Sequence, residues 1–486
     1  MNRYLNLFSS KGNKDKLKIN AGLNVIKKTI LLVFPFITFP YISRVLGVEN
    51  LGKFNYAYSL ISWFVLFASL GIPIYSASYG ARIRDDKERS DRFVSDLILI
   101  SLITTVIAYI VFAIMLAVSV DLREYNSLLL ILSVIIAGTT LGLDWYFVIY
   151  EEYFYITVRV IIIQLVSLAL IFGFVHNSSD LFEYAWVYVF SQVGASAINI
   201  YIVCRRVKFG FEFSSLKKHV KPILTTFALC MSSQIYINAD MTMVGAMQGD
   251  YYTGLYSVSN KVYRVLKSLM AALYEAALPN LSNAITSEGM DSFKVKINEL
   301  LNTIIVFLIP AVCGVIATSS DIIYVVGGSE YMEASTSLAI LGFSLLFAAL
   351  SGAFMYAVLL PMKLEKVTMQ SMTVSAVINI ALNFYFIPRY NINGAAITTA
   401  ISEGIVFIWQ CIYVSRYKIL EVELSNVLQV ALGSGCIFLC CGLVSTCDLP
   451  FIVSLLLKII VSVVVYALVL IVTKNKYLRN IFKKAR

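Results

Sequence analysis

Three basic residues recur at helical spacing inside one largely apolar segment. Lys261, Arg264 and Lys267 follow one another every three residues, so at about 100° per residue they cover roughly a 120° arc of one helix face. An ionisable side chain at bilayer depth costs about 2.5–3.5 kcal/mol on insertion scales, so it usually faces a partner or a water-filled cavity. This face therefore indicates an anionic ligand or bound water. The alternative is that these side chains snorkel to the interface or that the segment is an interfacial loop.

Three carboxylates also lie in apolar segments, one of them in the segment of Lys261. Glu275 follows Lys261 by 14 residues and so returns to within about 40° of it on the same helix. Asp240 and Glu403 lie in two further apolar segments. Either could carry a proton, or a sodium ion together with Asn238, because burial makes the charge state of a carboxylate switchable. Static pairing with a base of the Lys261–Lys267 face is the alternative that stays open.

Other basic residues lie near the start of the chain. Lys27 and Lys28 share about a 100° sector with Asn20 and Asn24 in the first apolar segment. They are either anchors at the inner membrane boundary or cavity residues. Lys53 lies at the outer start of the second segment, where a lysine snorkels easily to the interface.

The composition of the chain indicates that these residues lie in a membrane. The chain has 486 residues, of which 59% are apolar and 14% charged, whereas a soluble globular chain is about 25% charged. Apolar runs near the spanning length of about 20 residues recur from end to end. We therefore predict an all-α polytopic membrane protein with about 14 transmembrane helices. The predicted spans are residues 20–43, 53–80, 93–118, 127–149, 154–175, 184–203, 222–246, 253–284, 297–318, 335–359, 367–387, 394–414, 425–446 and 451–473.

The distribution of basic residues predicts the orientation. With the N-terminus inside, the inner segments hold 28 Lys and Arg residues, and the outer loops hold only Arg44, Arg123 and Arg389. Both termini are therefore expected in the cytoplasm, and no removed signal peptide is expected. The basic residues form short clusters between apolar runs, which does not favour a nucleic-acid partner.

A weak internal repeat divides the chain. Gly47 and Gly52 recur as Gly249 and Gly254 at an offset of 202, and a later register pairs Arg205 with Arg416 at an offset of 211. We expect two parallel six-helix lobes followed by two extra helices. The predicted divisions are a basic N-terminus (1–18), an N-terminal lobe (19–210), a C-terminal lobe (211–420), helices 13 and 14 (421–473) and a basic tail (474–486).

No catalytic or metal-binding constellation is evident. The eight cysteines form no C-x-x-C pair, and His176 and His219 are expected in different loops without a ligand cluster. Phosphate-binding and nucleophile motifs are absent, and the predicted outer loops are short. We expect neither an enzyme nor a cofactor.

Five stretches in order resemble a known family. PYISRVLGVENLGKFNYAYS (40–59), LGIPIYSASYGARIRDDKE (70–88) and DWYFVIYEEYFYITVR (144–159) are similar to signatures of bacterial polysaccharide-unit flippases of the multidrug/oligosaccharidyl-lipid/polysaccharide exporter superfamily. NADMTMVGAMQGDYYTGLYSVSNKV (238–262) and NGAAITTAISEG (393–404) resemble its second-half signatures. One departure is Val148-Ile149-Tyr150 before Glu151, where the family commonly has Gln-Gly between an aromatic pair and the acidic residue.

The resemblance implies a V-shaped pair of lobes in the cytoplasmic (inner) membrane around a cationic cavity. Its implied substrate is an undecaprenyl-diphosphate-linked oligosaccharide, flipped to the outer leaflet for O-antigen, capsule or similar polymers. By motif position, basic residues of spans one, two and eight would line the cavity: Lys27, Lys28, Lys53, Lys261 and Arg264. H⁺ or Na⁺ is a possible coupling ion, and the pathway's polymerase and chain-length proteins are possible partners. An ion-coupled drug/cation antiporter and, less favoured, a membrane polysaccharide polymerase remain the alternatives.

Overall fold

The computed structural model describes residues 13–210, 213–447 and 449–484, and these residues form helices and connecting turns without any strand. The helices, in chain order from α1 to α17, are Asn13–Ser69, Ile72–Ile83, Lys87–Val118, Asn126–Leu141, Asp144–Ile149, Tyr153–Phe174, Leu181–Val193, Ser196–Arg206, Phe213–Gln248, Asp250–Asn283, Met290–Ala317, Ser319–Gly327, Ala334–Phe354, Glu365–Ser415, Leu424–Ser445, Phe451–Val472 and Lys476–Lys484. Single π-helical turns follow α10 and α13, at Ala284–Glu288 and Met355–Leu359. The predicted all-α class is confirmed.

The helices account for the predicted membrane spans. Within the described part of the chain, ten helical stretches are long and apolar enough to cross a membrane. Two of these, Thr29–Ile83 and Glu365–Ser415, are long enough for two crossings each, and they break at Gly47 and Asn391, between the spans predicted on either side. With the more polar α9 and α10, the described helices supply the 14 spans that the sequence predicts.

The breaks have identifiable backbone causes. Gly47 has φ 73° and ψ 176°, and Gly249, which separates α9 from α10, has φ 81° and ψ −172°. This region of backbone space is accessible essentially only to glycine. The two glycines are 202 residues apart and adopt the same conformation, as the internal repeat predicts. Asn391 has φ 49° and ψ −130°, a non-helical conformation that separates the two halves of α14.

The chain separates into two compact units, the first ending at Gln234 and the second beginning at Ile235, inside α9. In unit 1, α1 packs against α3, α4, α6 and α7. In unit 2, α13 packs against α10, α11 and α14, and α15 packs against α11 and α16. In each unit a long helix thus contacts several others, which buries its polar side chains among neighbouring helices.

The start of α9 differs from the expectation for His219. The sequence analysis places this histidine in a loop, but α9 begins at Phe213 and buries His219 to 2% exposure. The Tyr75 hydroxyl lies 2.8 Å from its Nδ1, and Asp96 Oδ2 lies 3.2 Å from its Nε2. These contacts bury His219 inside unit 1, to which the start of α9 belongs.

Helices α15 and α16 are joined to the rest of unit 2 by buried polar contacts. Lys458 of α16 forms an ion pair of 2.7 Å with Asp321 of α12, and both side chains are buried. Asn426 of α15 donates to the backbone oxygen of Asn302 of α11 at 3.1 Å. The apolar segment around Lys458 therefore contains a lysine because a carboxylate partner is available there.

Candidate functional site

The basic face of α10 is present in the structure as a run of half-buried side chains in unit 2. Arg264 donates from Nη2 to Asn238 Oδ1 at 3.2 Å and from Nε to Asn260 Oδ1 at 3.3 Å. Lys261 lies close enough for the Arg264 charge to act on it. Two amide side chains thus orient the guanidinium, and the two cations are placed side by side.

Lys267, the third cation of this face, is joined to Glu403. Its Nζ lies 2.5 Å from Glu403 Oε1, with the lysine side chain 33% exposed and the glutamate side chain 3% exposed. The Tyr263 hydroxyl donates to the same oxygen at 2.9 Å. Of the two interpretations left open for Glu403, this geometry favours static pairing with a base of α10.

Asp240 has a different environment, although it is also buried, at 8% exposure. Asn383 Nδ2 donates to its Oδ1 at 2.6 Å, and the hydroxyls of Thr399 and Tyr256 lie 2.6 Å and 3.2 Å from its Oδ2. Asn379 Oδ1 accepts from Asn383 Nδ2 at 3.1 Å. The hydrogen-bond donors to the Asp240 carboxylate are therefore neutral groups from α10 and from both halves of α14, and the charge of Arg264 acts on it from beyond ion-pair distance.

The sequence analysis did not single out these neighbours of Asp240. A signal was available, because Asn379 and Asn383 lie four residues apart on one helix face inside an apolar span. Thr398 and Thr399 follow the break at Asn391, and Thr398 donates to Asn383 Oδ1. Only the packing of the two halves of α14 shows that these side chains meet at one carboxylate.

Glu275, the carboxylate on the same helix as the three bases, lies near Tyr356 of the π-helical turn after α13, close enough for the two groups to interact. Tyr356 in turn stacks on Tyr274, with ring centroids 5.4 Å apart. Glu275 therefore lies near a pair of stacked tyrosines.

The predicted cations of the first two spans belong to unit 1. Lys53 forms an ion pair with Glu124 and lies 5.6 Å from the centroid of the Tyr125 ring. Lys27 is half-buried, and the charges that act on it are those of Asp144 and Arg159. The side chain of Lys28 lies outside the residues that the structure describes, as do those of Asn20 and Asn24.

A polar network in unit 1 surrounds Asp144. Arg159 Nη1 donates to Asp144 Oδ1 and to Asn199 Oδ1, both at 2.7 Å. Asn199 Nδ2 donates to Asp144 Oδ1 at 2.6 Å and to the Gly142 carbonyl at 2.8 Å. Arg159 lies within a membrane span, and its guanidinium is paired there with a carboxylate and a buried amide.

The spans and their intramembrane charges define a multi-pass membrane protein. A solved structure described as a lipid II flippase MurJ in an inward closed conformation aligns with a TM-score of 0.72 at 18% identity, covering 92% of this chain and 98% of that one. An inward-facing multidrug resistance MATE family transporter aligns with a TM-score of 0.56 at 12% identity, covering 80% and 99%.

Sequence comparison gives the family. The chain belongs to the polysaccharide biosynthesis protein family, whose model matches residues 19–285. It is 21% identical over 423 residues to a putative O-antigen transporter of Escherichia coli (strain K12), covering 84% of this chain and 99% of the relative. The family resemblance found in the sequence motifs is thereby confirmed.

Proposed function

We propose that this protein is a flippase that moves an undecaprenyl-diphosphate-linked oligosaccharide repeat unit across the cytoplasmic (inner) membrane. Transport runs from the cytoplasmic to the outer leaflet by alternating access and supplies surface polysaccharide synthesis, such as O-antigen or capsule. The observation that carries the proposal is the pair of adjacent cations on α10, Lys261 and Arg264, inside a membrane protein. Family membership and the name of the Escherichia coli relative support it.

The two cations suit a diphosphate. A guanidinium presents a planar fork of donors that matches phosphate oxygens, and an ammonium adds a point charge beside it. The amide oxygens of Asn238 and Asn260 fix the orientation of Arg264, so little side-chain freedom is lost when the ligand binds. The charge of Lys267 is already balanced by Glu403, so we assign it a weaker contact with the substrate.

The cations of unit 1 are assigned the same ligand. Lys27, Lys28 and Lys53 would add positive charge for the diphosphate, as their motif positions imply. Lys53 would have to exchange Glu124 for the substrate. Because the Lys53 pair is partly exposed, that exchange costs little, since exposed ion pairs contribute about 0–1 kcal/mol.

Asp240 is the proposed coupling residue. A buried carboxylate among neutral oxygen and amide groups can bind a proton or a sodium ion, and its occupancy can differ between the two conformations. Each charge that crosses the membrane contributes about 2.3 kcal/mol per 100 mV, which is enough to bias the return of the empty carrier. Glu403 and Glu275 would instead hold α10 in place through Lys267 and Tyr356.

In this proposal the protein is a carrier without a catalytic group and has no nucleic-acid partner. The termini lie in the cytoplasm, as the distribution of basic residues predicts. The polymerase and the chain-length proteins of the same pathway would take up the unit after it reaches the outer leaflet.

Complementation of a flippase-deleted polysaccharide pathway tests the proposal. Wild type, Lys261→Ala and Arg264→Ala are compared at matched expression, and lipid-linked units are measured on each side of the membrane. We expect wild type to restore outer-leaflet units and both variants to retain units inside. Arg389→Ala is the control, because Arg389 lies at an exposed position against Tyr385. The proposal would be contradicted if Lys261→Ala and Arg264→Ala restored outer-leaflet units as well as wild type does, or if wild type restored no glycan.

An ion-coupled drug/cation antiporter is the second candidate. The neutral-donor shell of Asp240 favours it, because such a site exchanges a proton or sodium ion for a cationic drug without needing the bases of α10. Arg264→Ala would leave an antiporter active. Drug efflux from cells that express Arg264→Ala therefore separates the two candidates.

A further inference from the structure

An apolar groove with a volume of about 480 Å³ runs along the second half of α14 in unit 2. Its wall consists of Ile405, Ile408, Trp409, Ile412 and Tyr413, and Ile408, Trp409 and Ile412 are exposed. Gln370, from the first half of α14, forms the opposite side. The groove does not include Asp240, Glu403 or the bases of α10, so it lies outside the site already described.

One end of the groove is cationic. Arg416 lines it, with the guanidinium 5.5 Å from the centroid of the Tyr413 ring. Within residues 13–210, 213–447 and 449–484, Arg416 forms no ion pair with a carboxylate. Lys366 is exposed and lies four residues before Gln370, on the same helix face. The cationic end therefore offers the Arg416 guanidinium to a negatively charged group, and the exposed ammonium of Lys366 lies one helical turn from Gln370.

The length of the groove matches one leaflet. From Ile405 to Arg416 the helix advances about 16 Å at 1.5 Å per residue, and half of a hydrocarbon core of about 30 Å is about 15 Å. An acyl chain that begins at the headgroup level beside Arg416 thus reaches the membrane midplane at Ile405. A polyprenyl chain of eleven isoprene units is longer than one leaflet and would extend beyond the groove.

We propose that this groove binds one anionic glycerophospholipid. Its phosphate contacts Arg416 and Lys366, and one acyl chain lies along Ile405, Ile408 and Ile412 against the Trp409 ring. Three features of the groove match this lipid. One end is positively charged, the rest of the wall is apolar, and the length equals the thickness of one leaflet. The inference depends on the membrane position of α14 and not on the proposed transport substrate.

Lipid retention by the full-length protein tests this site. The protein is placed in nanodiscs of equal phosphatidylglycerol and phosphatidylcholine, extracted gently and examined by native mass spectrometry. We expect wild type to retain phosphatidylglycerol over phosphatidylcholine. Arg416→Gln should lower that retention about tenfold, because a hydrogen bond to a charged group is lost. Ile408→Trp should also lower it by filling the groove while Arg416 stays intact.

Arg389→Gln is the matched control. Arg389 also lies against a tyrosine of α14, 3.7 Å from the centroid of the Tyr385 ring, but outside the groove. Its loss should leave lipid retention unchanged. Equal retention of the two phospholipids by wild type, or unchanged retention in both groove variants, would overturn the proposal. Displacement of phosphatidylglycerol by added undecaprenyl phosphate would also overturn it, since the groove would then belong to a polyprenyl lipid.

Discussion

A group of three carboxylates in unit 1 and the carboxylate of Asp240 in unit 2 are held in two different ways. In unit 1, the segment from α5 to the start of α6 carries three carboxylates, and each receives a different arginine, from α6, from the turn after α2 and from α8. The pairs are Asp144 with Arg159, Glu151 with Arg84, and Glu152 with Arg206. In unit 2, Asp240 is held by an amide and two hydroxyl groups and by no arginine or lysine at ion-pair distance within the part of the chain that the structure describes.

This difference suggests two uses of a buried or partly buried carboxylate. The arginine-paired carboxylates of unit 1 stabilise the fold, whereas Asp240 is proposed to bind a ligand. An arginine cancels the charge of its carboxylate and fixes two segments together, which suits the left-handed turn at Glu151, with φ 56°. Neutral donors satisfy the oxygens of Asp240 but leave the carboxylate ready for a proton or metal ion. Substitution of Asp240 should therefore affect transport, and substitution of an arginine of the unit 1 pairs should affect stability.

The largest effect is expected at Asp240. Asp240→Asn keeps the side-chain shape but removes the charge, so the proposed coupling ion would lose its ligand. Transport should fall about 10- to 100-fold, the loss of one or more charge-assisted contacts, while the melting temperature changes little. Transport is measured as outer-leaflet units in the complementation assay. Asp291→Asn, at an exposed position on α11, should transport normally. Normal transport by Asp240→Asn would remove the distinction between the units.

A smaller effect of a different kind is expected at Arg84. Its guanidinium donates to Glu151 at 2.6 Å and to the Ile149 carbonyl at 3.2 Å, with both charged side chains partly exposed. Arg84→Met should lower the free energy of unfolding by about 1 kcal/mol, the upper range for an exposed ion pair. Transport per folded molecule should be unchanged. Thermal unfolding in detergent measures the first quantity.

The exposed Arg82 provides the control for this substitution, because it lies two residues earlier on the same helix. Arg82→Met should leave stability unchanged. If Arg84→Met instead reduced transport without affecting stability, the arginine pairs of unit 1 would have a transport role.

The smallest effect concerns Asp180, which resembles Asp240 in its neutral donors but lies outside the membrane spans. The backbone N–H groups of His176 and Asn177 donate to its Oδ2 at 2.8 Å and 2.9 Å. These hydrogen bonds hold the pKa of Asp180 below its usual value. Its stabilising contribution is therefore present above the unfolded pKa of about 3.9 and is lost as the pH falls through the lower folded value.

Thermal unfolding of wild type and Asp180→Ala between pH 6 and pH 3 checks this. The melting temperatures should differ slightly at pH 6, and the difference should shrink as the pH falls below about 3.9, with transport at neutral pH unchanged. A difference that does not shrink between pH 6 and pH 3 would show that the Asp180 carboxylate charge is not responsible. Together with Asp240→Asn, this result tests whether burial, rather than the donor set alone, distinguishes a coupling carboxylate.

The span pattern could be predicted from the sequence because the bilayer acts on each segment of about 20 residues separately. The breaks at Gly47 and Asn391 fall between predicted spans for the same reason. The basic face of α10 could also be predicted, since Lys261, Arg264 and Lys267 are related by helical periodicity alone. His219 could not, because its burial depends on contacts with Tyr75 and Asp96, more than 100 positions away.

The sequence by itself thus determined the helical class, the number of spans and the cationic face, all of which follow from local hydrophobicity and helical spacing. Only the tertiary structure decided that Lys267 is joined to Glu403, 136 positions later, and that Thr399 and Asn383 meet at Asp240. Pairing of this kind depends on which helices pack and on their rotation about their axes. Helix packing brings distant positions together, and no local pattern in one chain encodes those partners.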